Sequence, residues 1–248
     1  MKNLIISFLL MMIFASLSFS QTVDEILEQH FAAAGQEKLL ATNTLTMKGK
    51  IIQGQFEIPF TSMQKRPMNF RSEAEFQGMK ILSGFDGTIG WSVNPMMGST
   101  DPQPMTEEQI DRMKIQSDYD GLFYNYKEKG YTVEFIGTET VDDIETFVLK
   151  LSRPNGDVVT SYIDAENYVL LKSKSKMKIQ GVDTETEVIF SNYKFVNEIL
   201  NPFSMETKMN GQTAMQMTFD EIIYDVDMPD SMFEMPEVSA PADTTGSK

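Results

Sequence analysis

The stretch over residues 64–95 most constrains the fold, because its side chains alternate between apolar and polar with a period of two. The alternation begins near Met68, runs to Phe76, and resumes after the Gln77-Gly78 pair. A two-residue period places one face of a β-strand in an apolar environment and the other in water. The stretch therefore predicts two neighbouring strands joined by a turn.

The same alternation recurs along most of the chain, most clearly over residues 169–179, where four lysines fall on one side. Pro154-Asn155-Gly156-Asp157 is a strong hairpin signal. We count about ten or eleven strands, with one helix before them and one inserted after the fourth. This order predicts a mainly β (α+β) fold, in which a single curled antiparallel sheet forms an unclosed barrel and helices cover its concave side as a lid.

Two capping boxes mark the helices. Thr22 and Glu25 begin the first helix, Thr106 and Gln109 begin the second, and Gly35 ends or interrupts the first. Residues 37–40 are expected to add another turn. The apolar residues expected to face the sheet as the lid are Ile26, Phe31, Ile110 and Met113.

Three segments divide the chain. Residues 1–20 have a basic Lys2, an apolar core and a small-residue cleavage site, which predicts a cleaved signal peptide. Residues 21–235 are expected to form one domain, within which prolines and Gly98 predict a loop over 94–105. Residues 236–248 are expected to be disordered. The sequence contains no cysteine to carry a lipid anchor or a disulfide, so we expect a soluble exported protein in the periplasm.

Composition narrows the function. The net charge of −15 disfavours nucleic acid and anionic headgroups as partners. His30 is the single histidine, and with no cysteine this argues against zinc sites and thiol chemistry. Acidic pairs such as Asp142-Asp143 and Asp225-x-Asp227 are expected by chance among 36 acidic residues. We therefore assign no catalytic residue, metal or cofactor.

Methionine is the informative residue type, with 19 in the chain. Surfaces that accept varied apolar partners are rich in methionine, but a fully packed core tolerates it equally well. Composition alone leaves both interpretations open. Geometry favours a binding surface, because a curled sheet covered only by two helices leaves a concave apolar interior. The methionines on the apolar side of the strands are Met47, Met68, Met177, Met205, Met209, Met215 and Met217.

A series of short motifs resembles a known family. The series runs Lys65-Arg66-Pro67, Phe70-Arg71, Asp86-Gly87-x-x-x-Trp91 and Asn94-Pro95, then Gly137-x-Glu139-x-Val141, Phe147-x-Leu149, Tyr162-x-Asp164, Leu170 and Lys172. Together these motifs resemble the LolA/LolB-like periplasmic lipoprotein carriers, in particular the branch described as outer-membrane lipoprotein-sorting proteins. The resemblance covers most of residues 45–178.

The resemblance implies an unclosed barrel with a helical lid that shields lipoprotein acyl chains or lipid during transfer towards the outer membrane. It also implies inner-membrane export machinery and an outer-membrane acceptor as partners, and we expect a monomer. Arg66 and Arg71 resemble the family's basic residue in this region, and either is a candidate for gating the groove. The residues expected to line the groove are Met47, Phe56, Ile58, Met68, Phe70, Trp91, Met177, Met205 and Met217.

Two other functions stay open on the sequence. A secreted hydrolase would require two carboxylates in one cleft. A structural β protein would have a filled interior. A continuous apolar cavity of several hundred Å³ would favour the carrier over both.

Overall fold

The computed structural model describes residues 21–179 and 182–237, without the side chains of residues 177–183. One antiparallel sheet of 13 strands has the order β6-β5-β4-β3-β2-β1-β13-β12-β11-β10-β9-β8-β7. Pairing of β1 with β13 joins two meanders into one curled, unclosed sheet. The strands are β1 Thr44–Gln53, β2 Phe56–Lys65, β3 Asn69–Phe76, β4 Met79–Phe85, β5 Gly90–Asn94, β6 Ser99–Pro104, β7 Thr132–Val141, β8 Ile144–Ser152, β9 Val158–Asp164, β10 Leu170–Ile179, β11 Val182–Val196, β12 Ile199–Met209 and β13 Gln212–Tyr224.

The fold class is confirmed, but the predicted number of strands was too low. The predicted loop over residues 94–105 contains a short 3₁₀ helix, Pro95–Met97, and the edge strand β6. Pro102 and Pro104 made this strand look like a loop in the sequence. Proline cannot donate a backbone hydrogen bond within a sheet, but it is accepted in an edge strand such as β6. The second predicted helix consequently follows the sixth strand, not the fourth.

The helices begin where the capping boxes predict. Helix α1 spans Val23–Ala34, α2 spans Gln36–Ala41 and α3 spans Glu107–Gln116. The Thr22 N–H donates to the Glu25 carboxylate at 2.8 Å, and the Glu25 N–H donates to the Thr22 hydroxyl at 3.2 Å. Gly35 ends α1 in the left-handed region with φ 72°. Among the described residues, no helix combines the length and apolarity needed to cross a bilayer.

We call the face of the sheet that the helices pack against the inner face and the opposite one the outer face. Helix α1 packs over β7–β10, where Ile26 and Leu27 contact the cluster around Leu149, Leu151 and Ile163. Helix α3 packs over β3 and β4 through Ile110 and Met113, which meet two buried phenylalanines, Phe70 and Phe85, and Met105 just before the helix joins this cluster. Both helices cover the same face, as predicted for a lid.

The outer face of β2–β5 is covered by residues 226–237, which we call the C-terminal segment. Phe233 is fully buried there and packs with Met63 and Met228. The Trp91 indole N–H donates to the Phe233 carbonyl at 2.8 Å. Gly84 lies opposite Trp91 in the sheet, and a Cβ at Gly84 would lie 2.4 Å from the indole ring. The glycine therefore makes room for the tryptophan.

Candidate functional site

The inner face changes from buried to half-exposed along its central strands. On β2, Phe60 is buried, Ile58 is half-buried and Phe56 is 44% exposed. On β13, Tyr224 is buried whereas Met217 is half-buried. The helices thus cover one end of the inner face. The other end, which carries the β1–β2, β3–β4 and β12–β13 turns, keeps apolar side chains in contact with solvent.

A single row of apolar side chains crosses five strands at this half-covered end. Directly opposite residues of an antiparallel pair project from the same face. The register places Phe190 opposite Met205, Met205 opposite Met217, Met217 opposite Ile51, and Ile51 opposite Ile58. All five are half-buried. We call them the apolar row; it spans about 19 Å, from four intervals of roughly 4.8 Å.

Further apolar residues extend this surface towards the hairpin turns. Phe56 and Phe76 meet edge to face, with ring centroids 5.2 Å apart. Met215 is half-buried and Met209 is 40% exposed. Isolated exposed apolar residues are ordinary, but a contiguous apolar surface on a concave sheet is typical of a binding site.

A cavity of about 250 Å³ lies between α1 and strands β10–β12. Phe190 belongs both to its wall and to the apolar row, so the cavity adjoins the row. Its lining is mostly apolar and comprises His30, Ala34, Tyr168, Val169, Leu170, Phe190, Tyr193, Leu200 and Pro202.

The polar groups of this cavity are neutral. His30 Nδ1 lies 2.8 Å from the Tyr168 carbonyl, which can only accept, so Nδ1 carries the proton. Burial lowers the pKa of His30, and the hydrogen bond to Tyr168 opposes this shift. Burial raises the pKa of Tyr193, whose hydroxyl donates to the Leu170 carbonyl. The cavity therefore suits an uncharged apolar group.

The predicted lining residues separate into three groups. Met205, Met217 and Ile58 lie in the apolar row, and Phe56 extends it. Met47 is partly buried on the same face, in the cluster beneath α2. Met68 and Phe70 pack in the cluster under α3, where they contribute to its core. Their role in binding a ligand stays a prediction.

Trp91 and Met177 are the two remaining predicted lining residues. Trp91 was expected to line the groove, but it is fully buried on the outer face beneath the C-terminal segment. Neighbouring residues of a strand alternate between faces, and Trp91 shares its face with Gly84 and Arg71. The side chain of Met177 lies outside the described part of the structure.

The two candidate gating arginines occupy opposite sides of the sheet. Arg66 donates through Nε to the Thr42 carbonyl at 2.7 Å and through Nη2 to the Leu39 carbonyl at 3.2 Å. Its Nη2 also lies 2.6 Å from Asp120 Oδ1, and its guanidinium lies over the Tyr119 ring. Arg66 therefore ties the end of α2 to the segment that follows α3.

Arg71, by contrast, serves the outer face. Its Nη1 donates to the Met232 carbonyl at 2.7 Å and its Nε to Glu73 at 2.7 Å. It holds the C-terminal segment and makes these contacts away from the helices, so the geometry favours Arg66 as the residue that acts on the lid.

The acidic pairs at residues 142–143 and 185–187 lie in a turn and on the outer face, whereas Asp225 and Asp227 line a second pocket of about 310 Å³, where Asp225 accepts from the Asn43 N–H. Asp142 and Asp143 form the β7–β8 turn, both with positive φ. Glu185 and Glu187 lie on the outer face, paired with lysines of β10. In the ranges that the structure describes, no group of three or more His, Cys, Asp or Glu side chains could hold a metal ion.

Sequence reasoning missed Ile51, Phe190 and the cavity. Ile51 and Phe190 follow the same apolar alternation as the predicted residues, so the sequence indicates that they lie on an apolar face. It does not show which residues lie opposite one another across the sheet. His30, the single histidine of the chain, packs in the cavity wall. The cavity brings together residues from 30 to 202, which only the folded sheet can reveal.

Comparison with known proteins identifies the fold. No family model and no curated protein matches this chain. A LolA superfamily protein from Nitrosomonas europaea is similar in structure, with a TM-score of 0.58 at 14% identity, over 87% of this chain and 98% of that one. An outer membrane lipoprotein-sorting protein domain, described as putative, from Vibrio parahaemolyticus matches with a TM-score of 0.56 at 14% identity, over 84% and 94%.

A third similar structure belongs to a DUF1329 family protein from Desulfovibrio piger. It has a TM-score of 0.58 at 13% identity and covers 84% of this chain and 97% of that one. At these identities the comparisons establish the fold, and each of the three covers more than four fifths of this chain.

Proposed function

We propose that this chain, which has a LolA-like fold, is an exported carrier that binds the acyl chains of lipoproteins or lipids in the periplasm. The observation that carries the proposal is the apolar row, which is half-exposed on the inner face and adjoins a cavity of about 250 Å³. The row presents a continuous apolar path to a chain-like ligand.

The energetics support such a ligand. Each CH₂ group removed from water contributes about 0.8 kcal/mol. An acyl chain laid along the apolar row, which spans about 19 Å, would bury many such groups. Methionine suits this surface, because its flexible thioether adapts to different chains. Binding here requires no catalytic residue, metal or cofactor.

The lid is the second part of the proposal. Arg66 bonds the carbonyls of Leu39 and Thr42, and these bonds hold α2 at the covered end of the inner face. We infer that releasing them lets α1 and α2 move away and admits the ligand to the cavity. Ile26 and Phe31 lie on α1 and would move with it, whereas Ile110 and Met113 lie on α3 and would keep their cover over β3 and β4.

Delivery completes the carrier role. The predicted signal peptide over residues 1–20 lies outside the described residues and supports export to the periplasm as an expectation. The predicted tail lies outside them beyond residue 237. A carrier of this kind would receive its cargo at the inner membrane and transfer it to an outer-membrane acceptor, as a monomer.

Native mass spectrometry of protein purified from the periplasm tests the proposal. We expect bound species with the masses of lipids or acylated peptides, and displacement of them by added acylated peptide. The absence of any bound lipid, together with no binding of acylated peptide, would overturn the carrier function.

A further inference from the structure

A second row on the inner face is made of serines. The register places Ser62 opposite Ser72, Ser72 opposite Ser83, and Ser83 opposite Ser92. These four hydroxyls form a ladder across β2–β5, with neighbouring side chains about 5 Å apart. The ladder lies on the same face as Phe70 and Phe85, beside the helix α3.

The ladder hydroxyls are unpaired inside the protein. Within residues 21–179 and 182–237, none of the four makes a hydrogen bond to another group of the chain. Ser62 is only 6% exposed, but its hydroxyl oxygen is not fully buried and stays accessible from the inner face. The four hydroxyls are therefore free to form hydrogen bonds with a ligand that lies on the inner face.

A contrasting serine pair lies on the inner face across the sheet. Ser161 is fully buried, and its hydroxyl lies 3.5 Å from that of Ser173. The fully buried serine hydroxyl of this face thus has a partner inside the chain, whereas the accessible hydroxyls of the ladder have none. The ladder is therefore not a general property of inner-face serines.

We infer that the serine ladder binds the polar end of an acylglycerol, whose chain lies on the apolar row. The inference rests on the proposed function and names the ligand class. Ile58 ends the apolar row on β2, and Ser62 begins the ladder four residues further along the same strand. That separation is about 13 Å, so one amphiphile reaches both.

The chemistry of the ladder selects a neutral head. Serine hydroxyls both donate and accept, which matches ester carbonyls and glycerol hydroxyls. The net charge of −15 disfavours an anionic phosphate head at the same place. Free glycerolipids and the acylglyceryl group of a lipoprotein share this chemistry.

The test uses the full mature chain and a triple variant, Ser72→Ala with Ser83→Ala and Ser92→Ala. Ser204→Ala is the matched control, since Ser204 lies on the outer face of the same sheet, one residue from Met205. Binding is measured for palmitoylglycerol, a dipalmitoylglyceryl-cysteine peptide, hexadecyl phosphate and the apolar dye N-phenyl-1-naphthylamine.

We expect the triple variant to bind palmitoylglycerol and the lipopeptide at least tenfold more weakly, given about fivefold for each lost hydrogen bond. Binding of the dye and the midpoint of urea unfolding should not change, because the hydroxyls have no partner to lose. If palmitoylglycerol binds the wild type more tightly, the ligand is a free glycerolipid; if the lipopeptide does, the ligand is a lipoprotein.

Unchanged affinity of the triple variant for palmitoylglycerol and the lipopeptide would overturn the binding role of the serine ladder and leave the carrier function intact. If the wild type binds hexadecyl phosphate more tightly than palmitoylglycerol, the proposed preference for a neutral head group is wrong. Failure of the wild type to bind the dye or any of the lipids would overturn the proposed function itself, and the ladder with it.

Discussion

Two apolar surfaces lie on opposite faces of this sheet and have different covers. On the outer face, Met63 and Trp91 are buried by the protein's own C-terminal segment, with Phe233 at its centre. On the inner face, Met205 and Met217 are left half-buried. The comparison teaches that apolar character alone does not distinguish a packed core from a binding surface. What distinguishes them is whether the chain supplies its own cover.

The largest effect is expected from Phe233→Ala, because Phe233 is fully buried beneath the outer face. Removing a buried phenylalanine ring costs about 3–5 kcal/mol of unfolding free energy. Urea unfolding measures this loss, and Trp91 fluorescence should shift to the red. Phe195→Ala is the control, because Phe195 is 67% exposed. A loss of similar size in that variant would show that the effect of Phe233→Ala does not come from burial.

Arg66→Ala should lower the unfolding free energy by about 2–3 kcal/mol, because it removes charged hydrogen bonds to two carbonyls and the ion pair with Asp120. Hydrogen exchange in α1 and α2 should accelerate more than in the sheet. Arg66→Lys keeps the charge without the planar fork and should recover only part of the loss. Equal acceleration across the whole sheet would contradict a role at the lid.

Trp91→Phe should cost about 1–3 kcal/mol, since the Phe233 carbonyl loses its donor while the packing of the ring is largely kept. Urea midpoints of this variant, compared with those of Phe233→Ala, separate the hydrogen bond from the packing. Affinity for acyl ligands should stay at the wild-type level. A large loss of affinity would return Trp91 to the binding surface.

Met217→Ala and Met205→Ala test the other side of the comparison. Each should cost only about 1 kcal/mol of stability, because the side chains are half-buried. Each should weaken acyl-chain binding about fourfold to fifteenfold, corresponding to the loss of one or two CH₂ contacts at about 0.8 kcal/mol each. Met63→Ala on the outer face is the matched control, expected to lower stability by about 2–4 kcal/mol without changing affinity.

The smallest effect concerns pH. Burial lowers the pKa of His30, so the unfolded chain takes up its proton at higher pH than the folded chain does. The stabilisation from neutral His30 is therefore complete above about pH 6.5 and is lost as the pH falls below it. Urea midpoints at about pH 7.5 and about pH 5.5 should differ less in His30→Gln than in the wild type. An identical pH dependence would exclude His30 as the titrating group.

The sequence predicts elements better than it predicts their faces. Alternation located most of the strands, and the capping boxes located α1 and α3, because both signals are local. Strand β6 was missed because its prolines resemble those of a loop. Trp91 was placed with Phe70 because alternation shows that a strand has two faces, whereas the packing of α3 and the C-terminal segment decides which face is which.

The choice between Arg66 and Arg71 required the same long-range information. They lie five positions apart in the chain, yet one bonds the end of α2 and the other bonds the C-terminal segment. Register likewise created the apolar row and the serine ladder out of residues that have no proximity in sequence. Pairings of this kind are decided by the whole sheet.

The pairing of β1 with β13 has a consequence for how the chain folds. Leu45 lies opposite Tyr224, so the first strand acquires its second neighbour only when the last strand arrives. Until then, β1 is an unsatisfied edge that can pair with other chains. Contacts so distant in sequence slow folding and prolong this exposure. A newly synthesised chain would therefore benefit from a holding chaperone until β13 closes the sheet.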